Sequence, residues 1–414
     1  MRRRAYLSAL VALCCLAAAA PVTLEDCVRL ALDRAPALQG ATADVDAALA
    51  QVRAARSAYW PRVSGQAQYG HSEGYDTAIT NGGVTQLGLF VEAPILDGGL
   101  RAAQLAAARA RLRSSAALEQ QRRADIAFAV SNAYSTGLAF RREREIRAEA
   151  VRVLTDYVDL LKRQEGLGLV PVGDGVRAEL ALHTARSAER AASAGLEASA
   201  HELGVLVGTP VEPTALVEPA TRTLAPAGDD AIERSPTVAD ARAAAEAARR
   251  DADAVRSENH SRLTLSGDGG FLGVNPGPTF RDNGGGEFLV GFSIPLFDGG
   301  AVAARVAEAT AKTASAEAKV DQERESLVIA LTHLRSEAER ARADAEAWSQ
   351  TLPAAAEAFL LLRARYFGGG SIRLLEVLDA LNQSVDARLA VVRARFAYRV
   401  AAASQAQLLG RIEP

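Results

Sequence analysis

Pro94-Ile95-Leu96-Asp97-Gly98-Gly99 and Pro295-Leu296-Phe297-Asp298-Gly299-Gly300 are two copies of one unusual segment in a chain of 414 residues. Each copy follows a run that alternates like a β-strand and precedes a very long run that reads as helix. Asp97 and Asp298 suit a helix N-cap, and the paired glycines relax the backbone where strand turns into helix. An Asp followed by two glycines is by itself only a cap. Duplicated between a strand and a very long helix, it marks a repeated architecture. Other landmarks recur at nearly the same offset: LDRAPAL at 32–38 matches IERSPTV at 232–238, and Leu206-Val207-Gly208 matches Leu408-Leu409-Gly410. A fixed internal period has to be read before anything else, because it sets the architecture. The chain is therefore a tandem duplication of helix, two-stranded hairpin, very long helix and helix.

The regions flanking the two signatures extend this reading. Thr23 is an N-cap for a helix that Pro61 ends. The period then becomes two: Val63, Ala67 and Tyr69 alternate with Ser64, Gln66 and Gln68, and Leu87, Leu89 and Val91 alternate with Gln86, Gly88 and Glu92. In the second repeat Leu263 and Leu265 alternate with Arg262, Thr264 and Ser266, and Phe288, Val290, Phe292 and Ile294 with Glu287 and Ser293. Strands are expected over about 62–70, 85–93, 262–270 and 287–295, each the length of a tilted membrane-spanning strand. Past the capping glycines, 97–165 holds no proline and one glycine, Gly137, and 298–365 is interrupted only by Pro353. At 1.5 Å per residue each would extend roughly 100 Å. The shorter helices, expected over 23–60, 172–207, 231–260 and 371–409, match the long ones in combined length. Two of them stacked end to end would run beside one long helix, giving four columns below a four-stranded sheet. In the last helix Leu374, Leu378, Leu381, Val385, Leu389, Val392, Phe396 and Val400 form one apolar stripe. Domain boundaries follow: a first repeat over 20–210, a linker over 211–230 and a second repeat over 231–414.

Composition agrees with long helices and a thin core. Hydrophobic residues make up 49% of the chain and aromatic residues 5%, and alanine fills the gap, which favours helix and close backbone approach. Net charge is −3 with 23% charged residues, interspersed without a polybasic tract, which argues against a nucleic-acid partner. Arg2, Arg3 and Arg4 precede an apolar run to Ala20, the layout of a secretory signal over 1–19 with cleavage after Ala19. Cys14 and Cys15 would leave with it, neither follows a small-residue lipobox, and Cys27 alone remains. No later segment is apolar for long enough to be a transmembrane helix. If the protein crosses a membrane, strands must do it. Four strands cannot close a barrel, and an open sheet edge cannot face lipid, so the spanning form must be an oligomer. Three copies would supply twelve strands.

Catalysis finds no support. The five histidines (His71, His183, His201, His260, His333) lack metal-ligand spacing, and neither a nucleophile elbow nor a phosphate loop occurs. Asp251 and Asp253 stand two apart on a helix and point to different faces. No enzyme, cofactor or metal is expected.

With these signatures the chain resembles the TolC-type outer-membrane efflux protein family across essentially its whole mature length. The most specific marks are Pro94, Asp97, Gly98 and Gly99 with Pro295, Asp298, Gly299 and Gly300 at the strand–helix junctions, and two helix-hairpin tips. The first tip is 168–174; the second carries Tyr366, Phe367, Gly370, Ser371, Glu376 and Asp379. Tyr59 and Pro61 match the family's approach to its first strand, and Ser261 replaces the corresponding proline in the second repeat. The resemblance implies a mainly α fold with a membrane β-barrel: a homotrimer whose four strands per protomer close a twelve-stranded barrel in the outer membrane, continued by a periplasmic α-barrel tunnel of long helices. It also implies partnership with a periplasmic adaptor (membrane fusion protein) and an inner-membrane pump, and a passive exit duct for efflux or type I secretion. The glycine-rich loops 70–84 and 271–286 would face outside. At the tips, Asp174, Glu376 and Asp379 fall on acidic positions of the family's pore entrance. The family's gate tyrosine falls on Phe367, with Tyr366 one residue earlier, and its gate arginine on Ile372, with Arg373 one residue later. Either Arg373 or Tyr366 is expected to bridge to Asp174 in a closed state. The alternative reading is a secreted or periplasmic coiled-coil protein of structural or adhesive role.

Overall fold

The computed structural model describes residues 22–70, 84–171, 173–219, 224, 228–274, 284–369 and 371–412. The expected signal segment and most of the two strand-connecting loops lie outside these residues. Their elements are α1 (Leu24–Arg34), α2 (Pro36–Ser57), β1 (Arg62–Gly70), β2 (Val84–Leu96), α3 (Leu100–Gly166), α4 (Asp174–Val207), α5 (Asp229–Glu233), α6 (Pro236–Ser257), β3 (Arg262–Val274), β4 (Gly284–Ser293), α7 (Ala301–Phe367) and α8 (Leu374–Leu408). The described residues form two compact units, one drawn from 22–40, 120–236 and 325–412, the other from 41–119 and 237–324. Among the described residues no helix is long and apolar enough to cross a membrane.

The helices expected over 23–60 and 231–260 are each broken in two. Pro36 and Pro236 force the break, because a proline ring drives the preceding residue out of the helical region. Ala35 accordingly has ψ 117°. Thr23 accepts from the Asp26 N–H and caps α1 as expected. The long helices start three residues after the aspartates, at Leu100 and Ala301. Asp97 and Asp298 still satisfy the orphan donors, from two residues upstream of the capping glycine. Asp97 accepts from Gly99 N at 3.2 Å and Arg101 N at 3.0 Å, and Asp298 from Gly300 N at 2.9 Å and Val302 N at 2.7 Å. Gly98, Gly99, Gly299 and Gly300 all have positive φ, between 62° and 93°, which explains why glycine stands there twice. These hydrogen bonds hold Asp298 below the ordinary carboxylate pKa. At Asp97 burial works in the opposite sense, and the bonds from the Arg101 backbone and side chain outweigh it. Arg101 lies across Asp97 at 2.7 Å with its guanidinium over the Tyr59 ring.

In the second unit the strands form one antiparallel sheet in the order β1-β2-β3-β4. β2 and β3 run longer than the alternation indicates, β2 to Leu96 and β3 to Val274. The register decides what each face is. Val63 opposes Val91, which opposes Gly267, which opposes Phe288; Ala67 opposes Leu87, and Leu265 lies between Ala93 and Val290. Among the strand residues whose side chains are described, one face is thus apolar or glycine across all four strands. The other carries Gln66, Gln68, Glu92, Ser266, Asp268 and Glu287, with Phe90 and Leu289 as exceptions. Val63, Tyr69, Leu89, Val290 and Phe292 are all exposed in the protomer, an apolar patch that requires a cover.

The first unit holds two apolar clusters. One joins α1, α3, α4 and the 216 segment through Cys27, Val28, Val130, Tyr134, Leu138, Leu203, Val207 and Leu216. The Cys27 thiol is pushed up to about 11, by burial first and by Asp26 second. Gly137 permits the close approach: a Cβ there would lie 2.9 Å from Leu216 and 3.3 Å from Ser199. Tyr134, fully buried, faces the Val22 and Val217 carbonyls at 2.9 and 2.6 Å and accepts from Val217 N at 2.7 Å. Arg142 and Arg399 clamp Glu218 at 3.0 and 2.8 Å. Tyr134→Phe removes the hydroxyl that accepts from Val217 N and faces two carbonyls, hydrogen bonds worth about 0.5–1.5 kcal/mol each. A depressed Tm by thermal unfolding, with the fold retained by circular dichroism, is the expected result.

Candidate functional site

The second cluster lies where the long helices turn back, and it draws on four helices. Leu154, Tyr157, Val158 and Leu161 of α3, Ala178 and Leu182 of α4, Phe359 of α7, and Leu374, Val377, Leu378 and Leu381 of α8 pack together. This core positions the tips. Between α3 and α4, Glu165 accepts from Gly173 N at 3.0 Å across eight residues. Gly173, with φ 100°, is the N-cap of α4.

Asp174 opens α4 and is 5% exposed. The positive end of the helix favours its charge, and two donors meet it: the Tyr366 hydroxyl at 2.8 Å and Arg177 Nη1 at 3.4 Å. Tyr366 sits in the last turn of α7, so this hydrogen bond crosses from the second tip to the first. Its ring is held edge-on by Phe367 at 5.0 Å, and Phe367 is held edge-on by Tyr157 at 5.3 Å. Burial, together with the hydrogen bond to the Asp174 carboxylate, raises the Tyr366 pKa far above that of an ordinary phenol. The hydroxyl is therefore a neutral donor at every physiological pH.

Arg373 goes elsewhere. It occupies the N-cap of α8, is exposed, and turns its Nε toward Glu376 at 3.4 Å. Of the two residues that could meet Asp174, Tyr366 makes the bond. Glu376 and Asp379 stand three apart on the exposed face of α8, Asp379 accepting from Gln383 at 2.8 Å, while Val377, Leu378 and Leu381 face the core. Ile372 is half-buried against that core. Asp174, Tyr366 and Phe367 thus come together, whereas Glu376, Asp379 and Arg373 form a separate charged surface. Pro94 and Asp97–Gly99, with Pro295 and Asp298–Gly300, lie in the other unit at the sheet.

Three contributors escape sequence reading. Glu165 ties the first tip, Tyr157 supports Phe367, and the Arg363 guanidinium lies 5.6 Å from the Tyr157 ring. Tyr157 is 2% exposed and its hydroxyl has no hydrogen-bond partner among the described residues. Burial pushes its pKa up to about 12 against the pull of Arg363. The three–four spacing of Leu154, Tyr157, Val158 and Leu161 signals burial, and nothing in it signals a link to α7.

Known proteins share this fold. The family model described as Outer membrane efflux protein matches twice, over residues 27–209 and 227–411. Protein CyaE of Bordetella pertussis is 30% identical over 343 residues, covering 79% of this chain and 71% of CyaE. The crystal structure of the outer membrane protein VceC of Vibrio cholerae superposes with a TM-score of 0.84 at 21% identity, over 94% of this chain and 97% of VceC. A membrane protein of Pseudomonas aeruginosa does so at 0.84 and 22% identity, over 94% and 90% of the two chains. At these identities the superpositions show the fold: long helices together with a four-stranded antiparallel sheet. With the duplicated junctions, the apolar sheet face and the twofold match in agreement, this chain belongs to the outer membrane efflux protein family, as a channel protein of the Gram-negative outer membrane with a periplasmic extension and not an enzyme.

Proposed function

We propose that three copies of this chain close a twelve-stranded barrel and form the passive exit duct of a tripartite efflux or type I secretion machine. The duct does no chemistry; an inner-membrane pump, coupled through a periplasmic adaptor, supplies energy and chooses cargo. One observation carries the reading. The apolar face of the sheet extends over all four strands while β1 and β4 are left as open edges, and unpaired strand edges are untenable in lipid. Closure by sister copies covers the edges and turns the apolar face to lipid, leaving the polar face to line water.

At the periplasmic end, the bond between Tyr366 and Asp174 ties the two tips of each protomer and serves as the resting lock. Threefold symmetry gathers Glu376 and Asp379 into acidic rings that draw cations and repel anions over about 8–10 Å. Purified protein in a planar lipid bilayer tests the duct. Stepwise ion conductance from a heat-sensitive trimer is expected; a native monomer that passes no ions overturns the reading.

A further inference from the structure

The two repeats are not equally satisfied. An offset of 200 carries α2 and β1 onto α6 and β3, placing Ser57 on Ser257, Trp60 on His260 and Arg62 on Arg262. An offset of 201 carries β2 and its junction onto β4 and its junction, placing Val91 on Phe292, Glu92 on Ser293 and Gly98 on Gly299. The ladders obey this map: Arg62 opposes Glu92 as Arg262 opposes Ser293, and Val63 opposes Val91 as Leu263 opposes Phe292. One interface is made only once within the chain, where the first hairpin meets the second. There β2 pairs with β3, and His260 sits so tightly on Gly98 that any side chain at Gly98 would collide with it.

The equivalent groups on the other side are all open. β4 and β1 are the sheet edges. A Cβ at Gly299 or Gly300 would meet nothing within 4 Å. Trp60 is 71% exposed, and Leu296 and Phe297 are each 92% exposed.

We propose that a second copy of this chain completes the interface in the same geometry: β4 of one copy pairs antiparallel with β1 of the next in the register of β2 with β3, and Trp60 of that next copy seats on Gly299 and Gly300 of the first, as His260 seats on Gly98. The inference rests on the closed-barrel reading and adds the residues of its seam. Leu89 opposite Gly269 becomes Val290 opposite Tyr69, Val91 opposite Gly267 becomes Phe292 opposite Ala67, and Ala93 opposite Leu265 becomes Ile294 opposite Gly65. Face polarity agrees with this pairing. Val290 and Phe292 lie on the apolar face of β4, and Tyr69, Ala67 and Gly65 on the apolar face of β1. A slip of one residue would instead put Gln66 and Gln68 into lipid. Large side chains also fall opposite small ones, Phe292 over Ala67 and Ile294 over Gly65.

Cysteine pairs in the full chain test the register. Tyr69→Cys with Val290→Cys should yield covalent dimers and trimers on oxidation in outer membranes. The yield should be about tenfold above that of Val290→Cys with Gln68→Cys, which points to opposite faces, or with Ala67→Cys, a diagonal neighbour. Cys27 is fully buried, so the single-cysteine variants supply the background. Trp60→Ala should lower the temperature at which the trimer dissociates in gels, and Trp60→His, the residue of the equivalent position, should restore most of the loss. A native trimer that crosslinks best in a slipped pair overturns the register and leaves the duct standing, and an unchanged dissociation temperature in Trp60→Ala overturns the Trp60 seat. A native monomer instead overturns the duct itself.

Discussion

Tyr366→Phe should open the resting channel. The substitution removes one oxygen and keeps the ring that packs on Phe367, so the tip core survives. What is lost is a hydrogen bond to a buried carboxylate, worth about 1.5–3 kcal/mol, or roughly a 10- to 100-fold shift toward the open state at each lock. Asp174 then keeps only Arg177, at 3.4 Å and on its own helix, which cannot tie one tip to the other. Single-channel recording in a planar bilayer should show a higher open probability with little change in the conductance of the open pore. Arg373→Ser is the contrasting variant. Arg373 is exposed and directed at Glu376, and exposed ion pairs contribute at most about 1 kcal/mol. Its open probability should change by less than about fivefold. If Tyr366→Phe gates like the native channel, the bond at the tips is structural decoration and the lock lies elsewhere.

Gly98→Val should be the most damaging single change at the sheet. Gly98 has φ 62°, a conformation that costs a β-branched residue about 1–3 kcal/mol. The new side chain also collides with His260, and overpacking of this kind adds about 1–3 kcal/mol. Together these should deplete the folded protein from the outer membrane and lower its Tm. The two contributions separate in a double variant. The nearest obstacle is the His260 Cβ, which only glycine removes, so Gly98→Val with His260→Gly should recover the collision part and leave the backbone part. A double variant no better than the single one would mean that backbone strain accounts for the whole effect.

Much of the architecture is legible in the residues because its signals are local. Alternation of period two places four strands, the Asp-Gly-Gly junctions mark where strand becomes helix, and the scarcity of proline and glycine permits helices of 67 residues. The internal repeat adds what local signals lack, a rule for which parts are equivalent. Reading failed where one local preference opposed another. The alanine-rich runs on either side of Pro36 and Pro236 are both helical, and the intervening break follows from sterics at a single residue. At the tip, Tyr366 and Arg373 were equal candidates for Asp174. Both are donors in the same short turn, and sequence spacing alone does not say which one faces α4.

The type of most elements and the alternation that makes one sheet face apolar were determined by the sequence alone, since each depends on residues close together in the chain. The bond from Tyr366 to Asp174 spans 192 residues, and the contact of His260 with Gly98 joins the two repeats. Only the tertiary structure decided these: packing of α3, α4, α7 and α8 around a shared core sets the rotation that lets Tyr366 reach Asp174, and the pairing of β2 with β3 brings His260 onto Gly98.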